Sequence, residues 1–497
     1  MRPSQIDTLI SELREIVGPE YLLTDSGDRD FFSQDLSFED YAVASAIAQP
    51  SSIEDLAAVV RIAYALGVPI IPRGGGMSYT EGFTPKHPNS LVIDMQRMNR
   101  VLDVSVQNMY VTVECGCTWE LLYDTLRKLG VRTPYYGPNS GRYATVGGAL
   151  SQNSVWWGAG RHGMVADSIL SLEVVVSNGR IIKSGSAANP KSSPFFRYWG
   201  PDLCGLFLSD AGALGIKAIA TLRLVPMQSV TYYESVAVDG PEAAIECMEQ
   251  TSRLGLASEI YSLDPFYADS LARTGLEYFK QCPWTVHFIV DGLNPALATD
   301  AMGAIREVAH RHGKSIPADA PQKQRAVPFG NVESVLLGPD GQIWLPLHAI
   351  VPYSRARSAI TDYQAFAHSN RELFREHNIQ MSLLTLASQN DLLIEPSFYW
   401  FDALGSFRLE RISPESAEKW KRIPEDRETR GIVLKLRREL ATRFGDLGAV
   451  HIQLGKYYDF QSQMDSATWD TIVSLKRLFD PRGLINPGAL GLPQPSP

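Results

Sequence analysis

Apolar residues recur at helical spacing from Ile6 through Leu9, Ile10, Leu13 and Ile16, so the chain opens on an amphipathic helix. The rest of residues 1–40 reads as a short strand and a loop rich in Asp and Ser. From Tyr41 the pattern turns to strand, then helix. Ser51-Ser-Ile-Glu54 has capping-box spacing, Leu56, Val60 and Ala63 share one face, and Gly67 ends the helix with Pro69 beyond. Short apolar runs predict strands at Val68–Ile71, Leu91–Met95, Val101–Val106 and Tyr110–Val113. Thr118 is placed to cap a helix carrying Leu121, Leu122, Leu126 and Leu129, closed by Gly130. Leu170–Ser177 and Ile181–Ser184 flank Asn178-Gly179, a hairpin signal, and Ile216–Val225 predicts a further strand.

Near Gln228 the pattern changes. Glycine thins, and strands alternate with longer helices. Helices are expected at 241–254, 296–312, 354–377 and 427–444, and strands at 232–238, 284–290, 343–350, 379–386 and 392–399. This alternation reads as an α+β fold with an antiparallel sheet.

Composition narrows the function. Of 497 residues, 44% are hydrophobic and 20% charged, which is ordinary for a soluble globular protein long enough for two or three domains. A formal net charge of −9 argues against a nucleic-acid partner, which would need a basic face. No apolar run is long enough to span a membrane, and the acidic, helix-patterned start lacks signal-peptide organisation. The 5 cysteines are scattered without metal-type spacing, as reduced thiols in a cytoplasmic protein would be.

Two glycine-rich stretches carry the candidate chemistry. Pro72-Arg-Gly-Gly-Gly-Met-Ser-Tyr79 has no side chains to pack at its centre. Glycines there permit positive φ and close approach of a ligand, and successive N–H groups in such a turn form a donor site for phosphate. The second stretch runs from Gly137 to Gly141, through Thr145-Val-Gly-Gly148 to Asn153, and ends at Gly158-Ala-Gly-Arg-His-Gly163. It implies another close backbone approach to something flat or charged. No G-x-G-x-x-G or P-loop motif is present.

Taken together, Pro72-Arg-Gly-Gly-Gly76, Leu91-Val-Ile-Asp-Met95, Val113-Glu-Cys-Gly116, Pro138-Asn-Ser140 with Val146-Gly-Gly148, Gly212-Ala-Leu-Gly-Ile216 and Asp480-Pro-Arg-Gly-Leu-Ile-Asn-Pro-Gly488 resemble the vanillyl-alcohol oxidase / p-cresol methylhydroxylase flavoprotein family. The resemblance implies FAD and a bipartite PCMH-type binding domain over residues 1–228, including an N-terminal extension over 1–40. It also implies a cap or substrate domain over 229–440 and a C-terminal segment, 441–497, that returns to the FAD site. The implied cofactor contacts are Pro72, Arg73, Gly74, Gly75, Gly76, Met77, Ser78 and Tyr79 in the first turn. Pro138, Ser140, Thr145, Gly147, Gly148, Asn153, Gly158, Gly160, His162 and Gly163 follow in the second, with Gly215, Ile216 and Asn486 beyond.

Relatives that bind FAD covalently use a histidine after the first turn or on a cap strand. Met77 and the run Ser388 to Glu395 stand at those places, so the FAD is expected to be dissociable. The phenol-binding residues of the family are missing, although Tyr79 is close by. The metal motif of the 2-hydroxy-acid dehydrogenases is missing too, and its later Glu-His pair is Val450-His451, so no metal is expected. His451 on a strand is then either a hydrogen-bonded structural residue or the general base that takes a hydroxyl proton. His348 is a second candidate base. Arg355 is a candidate carboxylate clamp, and Tyr399 and Tyr457 are candidate walls of an aromatic substrate pocket. The implied function is FAD-dependent oxidation of a small alcohol, 2-hydroxy acids first. The alternatives are an aryl alcohol or alkylphenol, or a flavin-binding electron-transfer subunit without substrate chemistry. Dioxygen or another carrier would accept the electrons, and a homo-oligomer is possible.

Overall fold

The computed structural model describes residues 3–494. Residues 1–2 and 495–497, the ends of the two outer expected segments, lie outside the described residues. The first lobe holds two sheets. Strands β1 (Leu22–Leu23), β2 (Ala46–Ala48), β3 (Ile70–Arg73) and β4 (Leu91–Asp94) form one, in the order β1-β2-β4-β3. Strands β2, β4 and β3 run parallel, because the helix Ile53–Leu66 carries the chain back across the sheet. That helix starts one residue later than its sequence suggests. Ser52 accepts from the Asp55 N–H, while the Ser51 N–H and hydroxyl donate to the Asp55 carboxylate. Asp55, not Glu54, therefore reaches back over the helix start, to the residue before the N-cap. Gly67 ends the helix at φ 75°, in the left-handed region that favours glycine.

The second sheet contains β5 (Val101–Ser105), β6 (Tyr110–Glu114), β8 (Ile169–Val175), β9 (Ile181–Lys183) and β10 (Ile216–Arg223), in the order β5-β6-β10-β8-β9. The short β7 (Val131–Arg132) pairs instead with β11 (Val225–Pro226). Every pairing in these latter two sheets is antiparallel.

The second lobe is one eight-stranded antiparallel sheet backed by helices. Its strands are β12 (Val230–Val238), β13 (Glu259–Leu263), β14 (Trp284–Gly292), β15 (Gly313–Ile316), β16 (Ile343–Pro346), β17 (Ala349–Pro352), β18 (Gln380–Ser388) and β19 (Asp391–Trp400). Helices Pro241–Ser252, Pro295–Ala309, Tyr353–Ser369 and Arg427–Asp446 bury their apolar faces against it in the largest core.

Several local expectations change. The segment read as an Asp- and Ser-rich loop contains a helix, Ser26–Ser33, capped by Asp25. Strands β13 and β15 were not expected, and the helix expected over 354–377 breaks at Asn370 into two. The strand expected at 343–350 is two strands with Leu347 and His348 between them. Pro346 and Pro396 face this break, and neither has an N–H to give to a ladder. His451 lies just past an isolated bridge, Val450 to Ile350, and not within a strand.

Candidate functional site

The two glycine-rich turns pack directly on each other. A Cβ on Gly75 would lie 1.7 Å from the Tyr143 carbonyl oxygen, and one on Gly74 would lie 2.3 Å from Thr145 Oγ1. The three glycines thus serve first to bring two backbones together. Only Gly76, at φ 79°, needs a left-handed conformation. Thr145 also caps the helix Val146–Gln152, accepting from the Gly148 N–H.

Four carbonyl groups of the first turn are held by hydrogen bonds. Arg73 donates to Gly74 O at 3.2 Å, Arg411 to Gly75 O at 3.4 Å, the Leu36 N–H to Ser78 O at 2.8 Å and Arg437 to Tyr79 O at 2.9 Å. Among the described residues, none accepts from the main-chain N–H groups of Gly74 to Tyr79. A run of free N–H groups along a turn is an anion-binding concavity.

These turns form one wall of a cavity of about 850 Å³, within the size range of cofactor and ligand sites. Of the residues named as cofactor contacts, Pro72 to Tyr79, Pro138, Ser140, Thr145, Gly147, Gly148, Gly215 and Ile216 line it. The sheet of the second lobe supplies the opposite wall through Tyr261, Leu263, Trp344, His348, Leu384, Leu393, Glu395 and Tyr399. Free N–H groups, backbone that leaves no room for a Cβ, and a long cavity between the lobes fit a dinucleotide such as FAD.

His348 and Glu395 form the polar centre of the second wall. Pro346 pairs with Ser397 and Ala349 with Ile394, so the same register sets His348 opposite Glu395, on one face. His348 Nε2 lies 2.6 Å from Glu395 Oε2. The Tyr79 hydroxyl reaches the same imidazole at 3.1 Å. Burial, and then the nearby Glu395 carboxylate, hold the Tyr79 phenol well above its ordinary pKa, so it stays protonated. Tyr399 packs on Phe266 with ring centroids 4.6 Å apart, and its hydroxyl meets Ser382 and Tyr267. Among the cations lining the cavity, Lys217 is paired with Asp210 at 2.6 Å, Arg73 faces Asp94 at 3.8 Å, and Lys323 and Lys419 are exposed.

Other expected site residues lie away from this cavity. His451 Nδ1 lies 2.6 Å from the His348 carbonyl oxygen, its ring stacks on Tyr458 at 4.1 Å, and Nε2 is buried without a partner. Burial lowers its pKa, so the ring is neutral. Tyr458 holds the same stretch by accepting from the His348 N–H at 2.9 Å. Tyr457 is buried beneath Arg437, and Arg355 is exposed at the start of a helix. Asn153 is the left-handed cap of its helix. Asn486 donates to the Gly82 and Ala211 carbonyls, tying the C-terminal segment to the first turn's continuation. Gly158 and Gly160 bind Glu259 and the Ser258 carbonyl, so their small size serves packing between the lobes. Gly163, where a Cβ would meet Asp167, and the half-buried His162 belong to the same turn. Glu395, Trp344 and Tyr267 were not singled out from the sequence. Nothing in a strand pattern says which of its residues will face a histidine on another strand.

Comparison with known proteins agrees with the cavity's chemistry. Residues 44–185 match the family described as FAD binding domain. The glycolate oxidase subunit GlcD of Bacillus subtilis (strain 168) is 29% identical over 217 residues, covering 43% of this chain and 44% of that protein. The mitochondrial D-lactate dehydrogenase [cytochrome] of Arabidopsis thaliana is 31% identical over 264 residues, covering 51% of this chain and 44% of that protein. The match thus spans under half the length of these curated relatives. Among solved structures, substrate-bound p-cresol methylhydroxylase superposes with a TM-score of 0.77 at 17% identity, covering 99% of this chain and 98% of that one. The 4-ethylphenol oxidase of Gulosibacter chungangensis superposes with a TM-score of 0.75 at 16% identity, covering 100% and 98%. The chain therefore carries an FAD binding domain in residues 44–185, set within the fold of p-cresol methylhydroxylase.

Proposed function

We propose that this chain is an FAD-dependent oxidoreductase that oxidises the carbinol of a neutral aryl alcohol, with His348 as the base. The observation that carries the reading is the His348–Glu395 pair on an aromatic wall of the cavity. Bound FAD supplies the acceptor for the hydride that leaves the carbinol carbon. The hydroxyl proton goes to His348, whose imidazolium Glu395 would stabilise at 2.6 Å. Tyr79, protonated, is a donor toward the same centre. Trp344, Tyr399 and Tyr267 offer ring faces to an aromatic substrate, and their bulk keeps water out. Of the cations that line the cavity, Lys217 and Arg73 face carboxylates and Lys323 and Lys419 are exposed, while Glu395 on the aromatic wall would repel a carboxylate.

A second reading, oxidation of 2-hydroxy acids, has its support in the glycolate oxidase subunit and D-lactate dehydrogenases among the relatives. Anaerobic bleaching of the bound flavin by a panel of benzylic alcohols, glycolate and D-lactate separates the two. Fast reduction by benzylic alcohols is expected; reduction by the hydroxy acids alone would move the assignment to the second reading. The FAD is proposed to be held noncovalently and released on acid precipitation.

A further inference from the structure

Arg411 lies outside the FAD binding domain, in the short segment after the helix Ser406–Leu409. It nevertheless reaches the first glycine turn. The residue is 9% exposed, and its guanidinium donates to Phe407 O at 3.2 Å and to Gly75 O at 3.4 Å and sits 3.7 Å over the Phe407 ring. Phe407 itself occupies the space a Gly76 Cβ would need, 2.7 Å from that position. The segment thus backs the turn with one ring and one cation.

In a planar trans peptide the C=O and the following N–H point in opposite directions. With the Gly75 carbonyl held by Arg411, the Gly76 N–H is turned the other way, toward the cavity that Gly76 lines. Arg73, which itself lines the cavity, holds Gly74 O and so fixes the orientation of the Gly74–Gly75 peptide. The charges point the same way. The nearest buried carboxylate to Arg73 is Asp94, 3.8 Å away, and Arg411 forms no ion pair among the described residues. Arg73 Nε and Nη2 and Arg411 Nε are buried without acceptors. Arg73 and Arg411 thus lie buried behind a turn of free N–H groups, with Asp94 the nearest carboxylate and Asp35 and Glu410 beyond it.

We propose that Arg411 is a positioning residue of the FAD diphosphate site, contributed by the second lobe. It fixes the orientation of the Gly75–Gly76 peptide and adds positive charge behind it. The proposal rests on the FAD binding domain and not on any substrate, so its test uses none. Full-length chain stripped of flavin is titrated with ADP, which has the diphosphate but no flavin, and with riboflavin, which has the flavin but no phosphate. Arg411→Met should weaken ADP at least tenfold and leave riboflavin within threefold. Arg411→Lys keeps the charge, but its single ammonium cannot reproduce the guanidinium fork, so an intermediate loss for ADP is expected. ADP affinity within threefold of the parent in Arg411→Met would overturn the proposal, as would equal weakening of ADP and riboflavin. If Arg411→Met does not fold, the same criteria apply to Arg411→Lys: parental ADP affinity there would overturn it.

Discussion

At the scale of residues, the two candidate histidines separate. The His348 side chain lines the cavity, while His451 lies behind it, against the His348 carbonyl and the Tyr458 ring. His348→Gln should slow flavin reduction by roughly 10²–10⁴-fold with FAD content unchanged, as loss of a general base does. His451→Gln can still donate to the His348 carbonyl and should cost no more than about tenfold, roughly 1.4 kcal/mol. Stopped-flow reduction of both variants checks the ranking, and the reverse order would return the proton to His451. His287 shows a different use of the same side chain. It is fully buried on β14 between Ser235 Oγ at 2.8 Å and Thr285 Oγ1 at 2.9 Å, and burial pushes its pKa down to about 3. Unfolding returns it toward 6.5, so between these values the unfolded chain binds more protons. Stability from this site is present above about pH 6.5 and is lost as pH falls through the window, by about 2 kcal/mol at pH 5. Urea unfolding at pH 7 and pH 5 should show that loss in the parent and a smaller one in His287→Gln.

At the scale of elements, the glycine turn is a joint between two backbones before it is a ligand site. Gly75→Val would drive its Cβ into the Tyr143 carbonyl, a backbone atom that cannot swing aside. The variant should lose FAD and also lower the melting temperature of the flavin-free chain. An unchanged melting temperature with lost FAD would show that the turns can separate and that glycine there serves the ligand alone. The interruption between β16 and β17 is similarly constructive. Two prolines break the ladder but not the register, leaving His348 and Glu395 facing each other.

For the whole molecule, the lobes are joined by buried charge. Asp291 on β14 binds Arg132 of the first lobe at 3.2 Å and Arg325 of the second at 2.9 Å, and all three side chains are buried. Asp291→Ala leaves Arg325 buried without its carboxylate, while Arg132 keeps Gln228 and the Thr133 and Pro134 carbonyls, and should destabilise the fold by about 3–5 kcal/mol. Chemical denaturation checks this, and a loss under about 1 kcal/mol would mean that water reaches the joint. No described helix is long and apolar enough to cross a membrane.

How much of this was legible in the chain follows from the range of each interaction. Caps, periodicity and glycine density are local, so the helix at Ile53–Leu66, the antiparallel second lobe and the close-packed glycine turn at Pro72–Tyr79 could all be read from neighbouring residues. The flavin signature was legible for the same reason: a backbone that must approach a ligand has to be written in consecutive small residues. The glycines of 158–163 have the same composition, yet they pack on Ser258 and Glu259. Composition records that something comes close, not whether it is a ligand or another strand. The pairing of His348 with Glu395 depends on strand register across 47 residues. The backing of Gly75 by Arg411 spans 336. Such contacts leave no periodic trace, because each needs one side chain at one place, and only the packing of the two lobes decides which.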